Sequence, residues 1–148
     1  MSQEEKIEGE FIGKYLGIVR RAHAILLDQK LKPFSISHGQ ISLFITIYKQ
    51  AGISQSELCN IFNLDKAGVT RSIKKMVQAG LVEKRSDPQD KRRKELYLTD
   101  KGEEFVPQLS SVLQDVEKRV RKNLSQEEID NCLQTMKKIC VNLDVTLE

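Results

Sequence analysis

Histidine is scarce in this chain: only His23 and His38 occur among 148 residues, and tryptophan is absent. Neither histidine belongs to an H-E-x-x-H helix or a Cys/His cluster, so a metal site and a metal cofactor are not expected. The three cysteines, Cys59, Cys132 and Cys140, form no C-x-x-C pair and leave one over in any pairing scheme. Cys132 and Cys140 share a helix face with Leu133 and Met136, so they read as small apolar core residues rather than redox groups. No Gly-rich phosphate loop is present, and nothing in the sequence supports an enzyme. No apolar run is long enough to span a bilayer. The opening stretch MSQEEKIEGE is acidic and polar, unlike an export signal or a basic transit peptide. A reducing cytoplasm is therefore the expected location.

What is present is charge, unevenly placed. Charged residues make up 30% of the chain and hydrophobic ones 39%, a balance that suits one soluble domain with wide solvated faces. The net charge is only +3, yet residues 65–94 carry ten lysines and arginines against four acids. That segment holds +6 and leaves the remainder acidic, a pattern expected of a local footprint for a polyanion.

Apolar spacing gives a mainly α-helical order with one small hairpin. Residues 10–30 carry two adjacent stripes at helical spacing, Phe11, Tyr15, Ile18, Ala22 and Ile25 beside Ile12, Leu16, Val19 and Leu26. Pro33 ends this helix. Ser37 and Gln40 have capping-box form and open a helix through Ile41, Phe44, Ile45 and Tyr48, closed near Gly52. Ser54 and Glu57 repeat the box for a short helix over residues 55–62. Asn63 occupies the turn, and Asp65 caps the next helix. That helix should bury Val69, Ile73, Met76 and Val77, expose Lys66, Thr70, Arg71, Lys74 and Lys75, and end at Gly80 in a left-handed conformation.

Two short helices separated by a three-residue turn match the helix-turn-helix unit. Strands over residues 81–85 and 95–99 should flank a turn at Asp87-Pro88. Thr99 or Asp100 then caps a helix in which Pro107 predicts a kink or a later start. Ser125 and Glu128 form a third capping box, before a helix using Ile129, Leu133, Met136, Ile139, Cys140 and Leu143. Helix-turn-helix followed by a hairpin is the winged helix-turn-helix arrangement. We place it at residues 35–100 of a single 1–148 domain. The terminal segments, residues 5–30 and 105–146, keep apolar stripes that so small a core cannot cover, and a two-fold dimer is the expected solution.

The stretch DPQDKRRKELYLTDKG, residues 87–102, resembles the wing of the MarR/SlyA regulators. Asp90-Lys91-Arg92 stands for that family's Asp-x-Arg pair, and Leu98-Thr99-Asp100-Lys101-Gly102 for its Leu-Thr-x-x-Gly helix start. The segment LDKAGVTRSIKKMVQAGLVEK resembles the family's recognition helix. The resemblance implies a dimeric, sequence-specific DNA-binding regulator acting on a pseudo-palindromic operator. It further implies a repressor relieved by a small, phenolic effector.

Lys66, Ala67, Thr70 and Arg71 then lie where a recognition helix meets base edges, and Lys74 and Lys75 where it meets phosphates. Lys91, Arg92 and Arg93 reach an adjacent minor groove, with Asp90 positioning the loop. Ser54 and Gln55, at a helix start, are candidates for a backbone phosphate, with an ordinary cap as the rival reading. The family's effector crevice would place Tyr15, Arg20 and His23 in a pocket. A winged-helix module that binds proteins or bends DNA without sequence choice is the rival function. The family's peroxide-sensing branch carries a reactive cysteine in its first helix, and this chain has none there.

Overall fold

Ser37, Ser54 and Ser125 each start a helix, as their spacing to Gln40, Glu57 and Glu128 requires. The Ser54 and Ser125 hydroxyls accept the amides of Glu57 and Glu128 at 3.1 Å each, while those carboxylates accept the serine amides at 2.8 Å. At Ser37 both the amide and the hydroxyl donate to Gln40 Oε1, at 2.9 and 2.8 Å.

The computed structural model describes residues 9–146. The elements are α1 (Ile12–Leu31), continued by one 3-10 turn (Lys32–Phe34), α2 (His38–Lys49), α3 (Gln55–Phe62) and α4 (Lys66–Gln78). They are followed by β1 (Val82–Ser86), β2 (Lys94–Leu98), α5 (Asp100–Val120) and α6 (Gln126–Asn142). The chain forms two compact units, Met1–Leu113 and Gln114–Glu148.

The first unit is built around α2. Leu43, Phe44 and Ile47 of α2 are almost fully buried, as are Leu31, Leu58, Val69, Ile73, Met76 and Leu96 from the elements around it. Each such side chain contributes about 1.5–3 kcal/mol on burial. Phe105, early in α5, sits edge-on to Phe44 with ring centroids 5.3 Å apart, and Phe34 lies 4.7 Å from it on another side.

The hairpin pairs Val82 with Leu98 and Ser86 with Lys94, antiparallel throughout. Its β2 edge is covered by the segment before α3: Gly52 N–H donates to Leu96 O and Leu96 N–H to Ile53 O, both at 2.9 Å. Gly52 adopts φ +89°, and an added Cβ would lie 3.0 Å from Tyr97 Oη, so this crossing favours glycine. The hairpin is thereby tied to the helix-turn-helix along one strand.

Its other end is tied to α4. Thr99 N–H donates to Leu81 O at 3.1 Å, the Thr99 hydroxyl donates to Gly80 O, and Lys101 Nζ donates to Ala79 O at 2.8 Å. Thr99 Oγ1 also accepts Gly102 N–H at 3.0 Å, which caps α5. Gly102 packs against this junction so closely that a Cβ would fall 2.1 Å from Leu81 O.

The structure corrects several expectations. Val77, expected on the inward face of α4, is 40% exposed, and that face is closed by Met76. Both strands begin or end one residue away from the expected bounds, with Ser86 included in β1 and Thr99 freed to cap α5. That helix starts at Asp100 and contains Pro107 in its interior, so the later start is not observed. Cys132 is exposed and Cys59 and Cys140 are half-buried, so none is a fully buried core residue. Phe105 and Leu109 are each 3% exposed, so the start of the 105–146 segment belongs to the core rather than to a spare apolar face. Residues 5–8 of the expected N-terminal helical region lie outside the described residues.

In the second unit α6 has no buried residue, and Leu133, Met136 and Val141 are exposed. Val116, in the part of α5 that belongs to this unit, is buried. On α1, in the first unit, Ile12, Tyr15, Ile18, Val19 and Ile25 are likewise exposed, as is Phe11 just before it.

Candidate nucleic-acid interface

The turn between α3 and α4 is set by local chemistry. Asn63 adopts φ +48°, a left-handed value that asparagine tolerates. Leu64 N–H then donates to Cys59 O at 3.1 Å, closing α3. Asp65 Oδ1 accepts Gly68 N–H at 3.2 Å and opens α4. With Val69, Ile73 and Met76 facing the core, Lys66, Ala67, Thr70, Arg71, Lys74 and Lys75 all lie exposed on the opposite side.

Thr70 is held more tightly than its exposure suggests. Its hydroxyl donates to Lys66 O at 2.7 Å and accepts from Gln55 Nε2 at 2.6 Å. Gln55 therefore bridges the first turn of α3 to α4, instead of standing free for a phosphate. Ser54 is 5% exposed, its hydroxyl is used in the cap and its amide donates to Glu57 Oε2 at 2.8 Å, the ordinary cap that was the rival reading for it.

The loop between the strands is held by its own aspartates. Asp87 Oδ1 accepts Gln89 N–H at 2.8 Å, and Asp90 Oδ1 accepts Arg92 N–H at 3.0 Å. Arg93 N–H donates to Asp90 O at 3.0 Å, and Asp87 N–H to Arg93 O at 3.1 Å. Asp90 thus fixes the backbone at Arg92.

The run of cations Lys91 to Lys94 separates into two pairs. Lys94 is in β2, and its ammonium donates to Ser86 Oγ at 2.8 Å. Arg93 turns back to α3, with its guanidinium 3.3 Å from Glu57 Oε1 and 3.7 Å from Glu95 Oε1. This corrects its placement among the outward cations. Lys91 and Arg92 remain exposed at the tip.

Glu57 carries two duties. It closes the α3 capping box and anchors Arg93, so the Ser54 amide first and the Arg93 guanidinium after it hold its carboxyl below the usual glutamate range. Arg85 lies over the Tyr97 ring, 4.2 Å from its centroid, and pairs with Glu83, while Tyr97 Oη donates to Glu95 Oε2 at 2.9 Å. That bond to Glu95 pushes the Tyr97 hydroxyl upward in pKa. At the junction of α1 and α2, Asp28 accepts His38 N–H at 2.7 Å, and this bond first lowers its pKa.

Lys66, Arg71, Lys74 and Lys75 on α4 and Lys91 and Arg92 on the hairpin tip are thus exposed and form no ion pair among the described residues, as is also true of Lys84 and Lys94 on the strands. Spacing alone located the α4 set. The roles of Glu57 and Gln55 were not legible, because their partners lie 36 and 15 residues away.

Tyr15, Arg20 and His23 are all exposed on α1 and spread over about 140° of its circumference. Two cavities of the first unit are lined by other residues. One, of about 250 Å³, is lined by Pro33, Phe34, Leu81, Lys101 and Phe105 among others. The described residues contain no group of three metal-ligating side chains, and none of their helices is long and apolar enough to cross a membrane.

A helix-turn-helix with a cationic outer helix, followed by a hairpin with cations at its tip, defines a winged helix-turn-helix DNA-binding transcription regulator. A sequence profile of the MarR family matches residues 36–94. The HTH-type transcriptional regulator BilQ of Clostridioides difficile is 32% identical over 101 residues, 68% of each chain. A MarR protein from Peptoclostridium difficile superposes with a TM-score of 0.84 at 28% identity, covering 97% of this chain and 94% of its own. A mutant MarR from E. coli, solved in complex with operator DNA, gives 0.77 at 28% identity, over 86% of this chain and 92% of its own. The chain belongs to the MarR family, whose named members are transcriptional regulators and not enzymes.

Proposed function

We propose that this chain binds an operator as a homodimer, inserting α4 into the major groove and the hairpin tip into the neighbouring minor groove. The observation that carries this reading is the strip of exposed, ion-pair-free cations from Lys66 to Lys75 and at Lys91 and Arg92. What sets them apart is their grouping on the side of α4 opposite the core and at the hairpin tip, where lysines and arginines can neutralise the phosphates of one duplex. The solved complex of a MarR protein with operator DNA supports it by likeness of fold. The winged region is residues 35–100. The exposed apolar residues of α1 and of α6 are the surfaces a second copy would cover, presenting two α4 helices about 34 Å apart to a pseudo-palindromic site.

The regulator acts in the cytoplasm as a repressor, released by a small aromatic acid. Tyr15, Arg20 and His23 would meet such a molecule only where a second copy faces α1. The cavity beside Phe34 and Phe105 is a better fit, because it offers aromatic walls and the Lys101 ammonium. Lys101 donates to Ala79 O just past the end of α4, so a carboxylate that drew it away would loosen the recognition helix.

The test is selection of bound duplexes from a random-sequence pool, followed by competition against unselected DNA. Enrichment of a two-fold-symmetric sequence, and its release by aromatic acids, is expected. Equal affinity for selected and unselected DNA would leave a non-specific winged-helix binder.

A further inference from the structure

Thr70 sits on the exposed face of α4, four residues after Lys66, yet its hydroxyl is already engaged. The single O–H goes to Lys66 O at 2.7 Å, and one lone pair takes Gln55 Nε2–H at 2.6 Å. A threonine hydroxyl has one proton to give, so Thr70 has none left for a base acceptor. Fixing Oγ1 also fixes Cγ2, because both hang on the same Cβ and threonine rotates poorly about χ1. A position that looks polar by residue type therefore offers chiefly a methyl group in a set orientation.

We infer that Thr70 reads DNA as an apolar contact to the C5-methyl of thymine in the major groove, and that Gln55 is the residue that positions it. The inference rests on the reading of α4 as a recognition helix. It departs from that reading's simplest form in two ways. Gln55 acts through Thr70 rather than on a phosphate, and Thr70 contributes base preference without donating a hydrogen bond. Among the exposed α4 side chains, hydrogen-bond donation to bases is left to cations such as Lys66 and Arg71. A methyl contact discriminates thymine from every base lacking that group, whereas a hydroxyl donor would favour guanine N7 or O6, adenine N7 or thymine O4.

The probe is a duplex selected by the wild-type protein from a random pool, prepared once with thymine and once with deoxyuridine at every thymine position. First, the wild type must prefer the selected duplex to a scrambled one. If it does not, the DNA-binding reading fails, and this inference with it, before any methyl is tested. Given that preference, the wild type should lose on the order of fourfold in affinity per half-site on the deoxyuridine duplex, the value of one buried methyl group.

Thr70→Ser keeps the hydroxyl and its two bonds but lacks the methyl. It should bind both duplexes alike, at the wild-type affinity for deoxyuridine DNA. Gln55→Ala should lower the thymine-to-deoxyuridine ratio while retaining preference for selected over scrambled DNA. A Thr70→Ser variant that discriminates as strongly as the wild type, or a wild type indifferent to deoxyuridine, would overturn the methyl contact. A Gln55→Ala variant with the ratio unchanged would overturn the positioning role.

Discussion

Gly102→Ala reverses the usual rule for glycine in a helix. Gly102 lies in the first turn of α5, where replacing glycine by alanine ordinarily stabilises by about 1 kcal/mol. Here the new Cβ would sit 2.1 Å from Leu81 O, 3.1 Å from Leu81 C and 3.2 Å from Leu98 Cβ. Ordinary carbon–oxygen contact needs about 3.3 Å, so the two backbones must part by roughly 1 Å. Overpacking of that kind costs about 1–3 kcal/mol. The same movement strains the bonds that clamp α5 to the end of α4, those from Thr99 N–H to Leu81 O and from the Thr99 hydroxyl to Gly80 O. Each contributes about 1 kcal/mol. After subtracting the helix-propensity gain, the net loss is roughly 2–4 kcal/mol, a large share of a typical domain's stability. For a chain of this size that lowers Tm by roughly 5–15 °C. Urea unfolding of the purified variant and wild type reads the difference directly. A Gly102→Ala protein as stable as the wild type, or more stable, would show that the close approach to Leu81 does not exist in solution.

The wing separates Arg92 from Arg93. Arg92→Ala should weaken operator affinity by roughly 1–3 kcal/mol with stability unchanged, while Arg93→Ala should lower stability through the lost Glu57 contact; equal effects on both measures would refute the division. Acid should loosen the same junction. The folded pKa of Glu57 is lowered, chiefly by the Ser54 amide, so its contribution is complete above the ordinary glutamate value of about 4.3 and disappears as pH falls through the folded value. Glu57→Gln should therefore flatten the fall of the urea midpoint over that acid range, and parallel curves for the two proteins would contradict it. Ile18→Glu and Met136→Glu each place a charge on an exposed apolar surface. Both should yield monomers by sedimentation at micromolar concentration, since an unpaired charge is costly to bury. A dimer that survives both would place the interface elsewhere.

Much of this arrangement was legible because it is local. The capping pairs Ser37–Gln40, Ser54–Glu57 and Ser125–Glu128 are three residues apart, and each opens a helix where expected. The outward face of α4 followed from helical period, once Val69 and Ile73 were recognised as core. The tertiary partners were not legible. Four adjacent cations look equivalent in sequence, yet Arg93 has Glu57 within reach and Lys94 has Ser86, so the tip keeps two. The pairing of residues 52–54 with β2 involves only three residues of no marked alternation. Gly102 read as part of a helix-start motif, but its need for glycine comes from Leu81, twenty-one residues earlier. Val77 read as core because it keeps helical spacing with Ile73, yet it is 40% exposed while its neighbour Met76 is fully buried.

The central claim is that DNA is held by α4 and the hairpin tip. It is tested most directly by titrating one selected duplex, at a single fixed salt concentration, with wild type and three charge variants. Arg71→Ala and Arg92→Ala remove cations from the proposed surface, and Lys118→Ala removes one from the second unit. Each removes one positive charge, so net charge falls equally in all three, while affinity falls only where that charge neutralises a phosphate. The account predicts losses of roughly 1–3 kcal/mol for the first two, and affinity within twofold of wild type for Lys118→Ala. Equal losses in all three variants would contradict it.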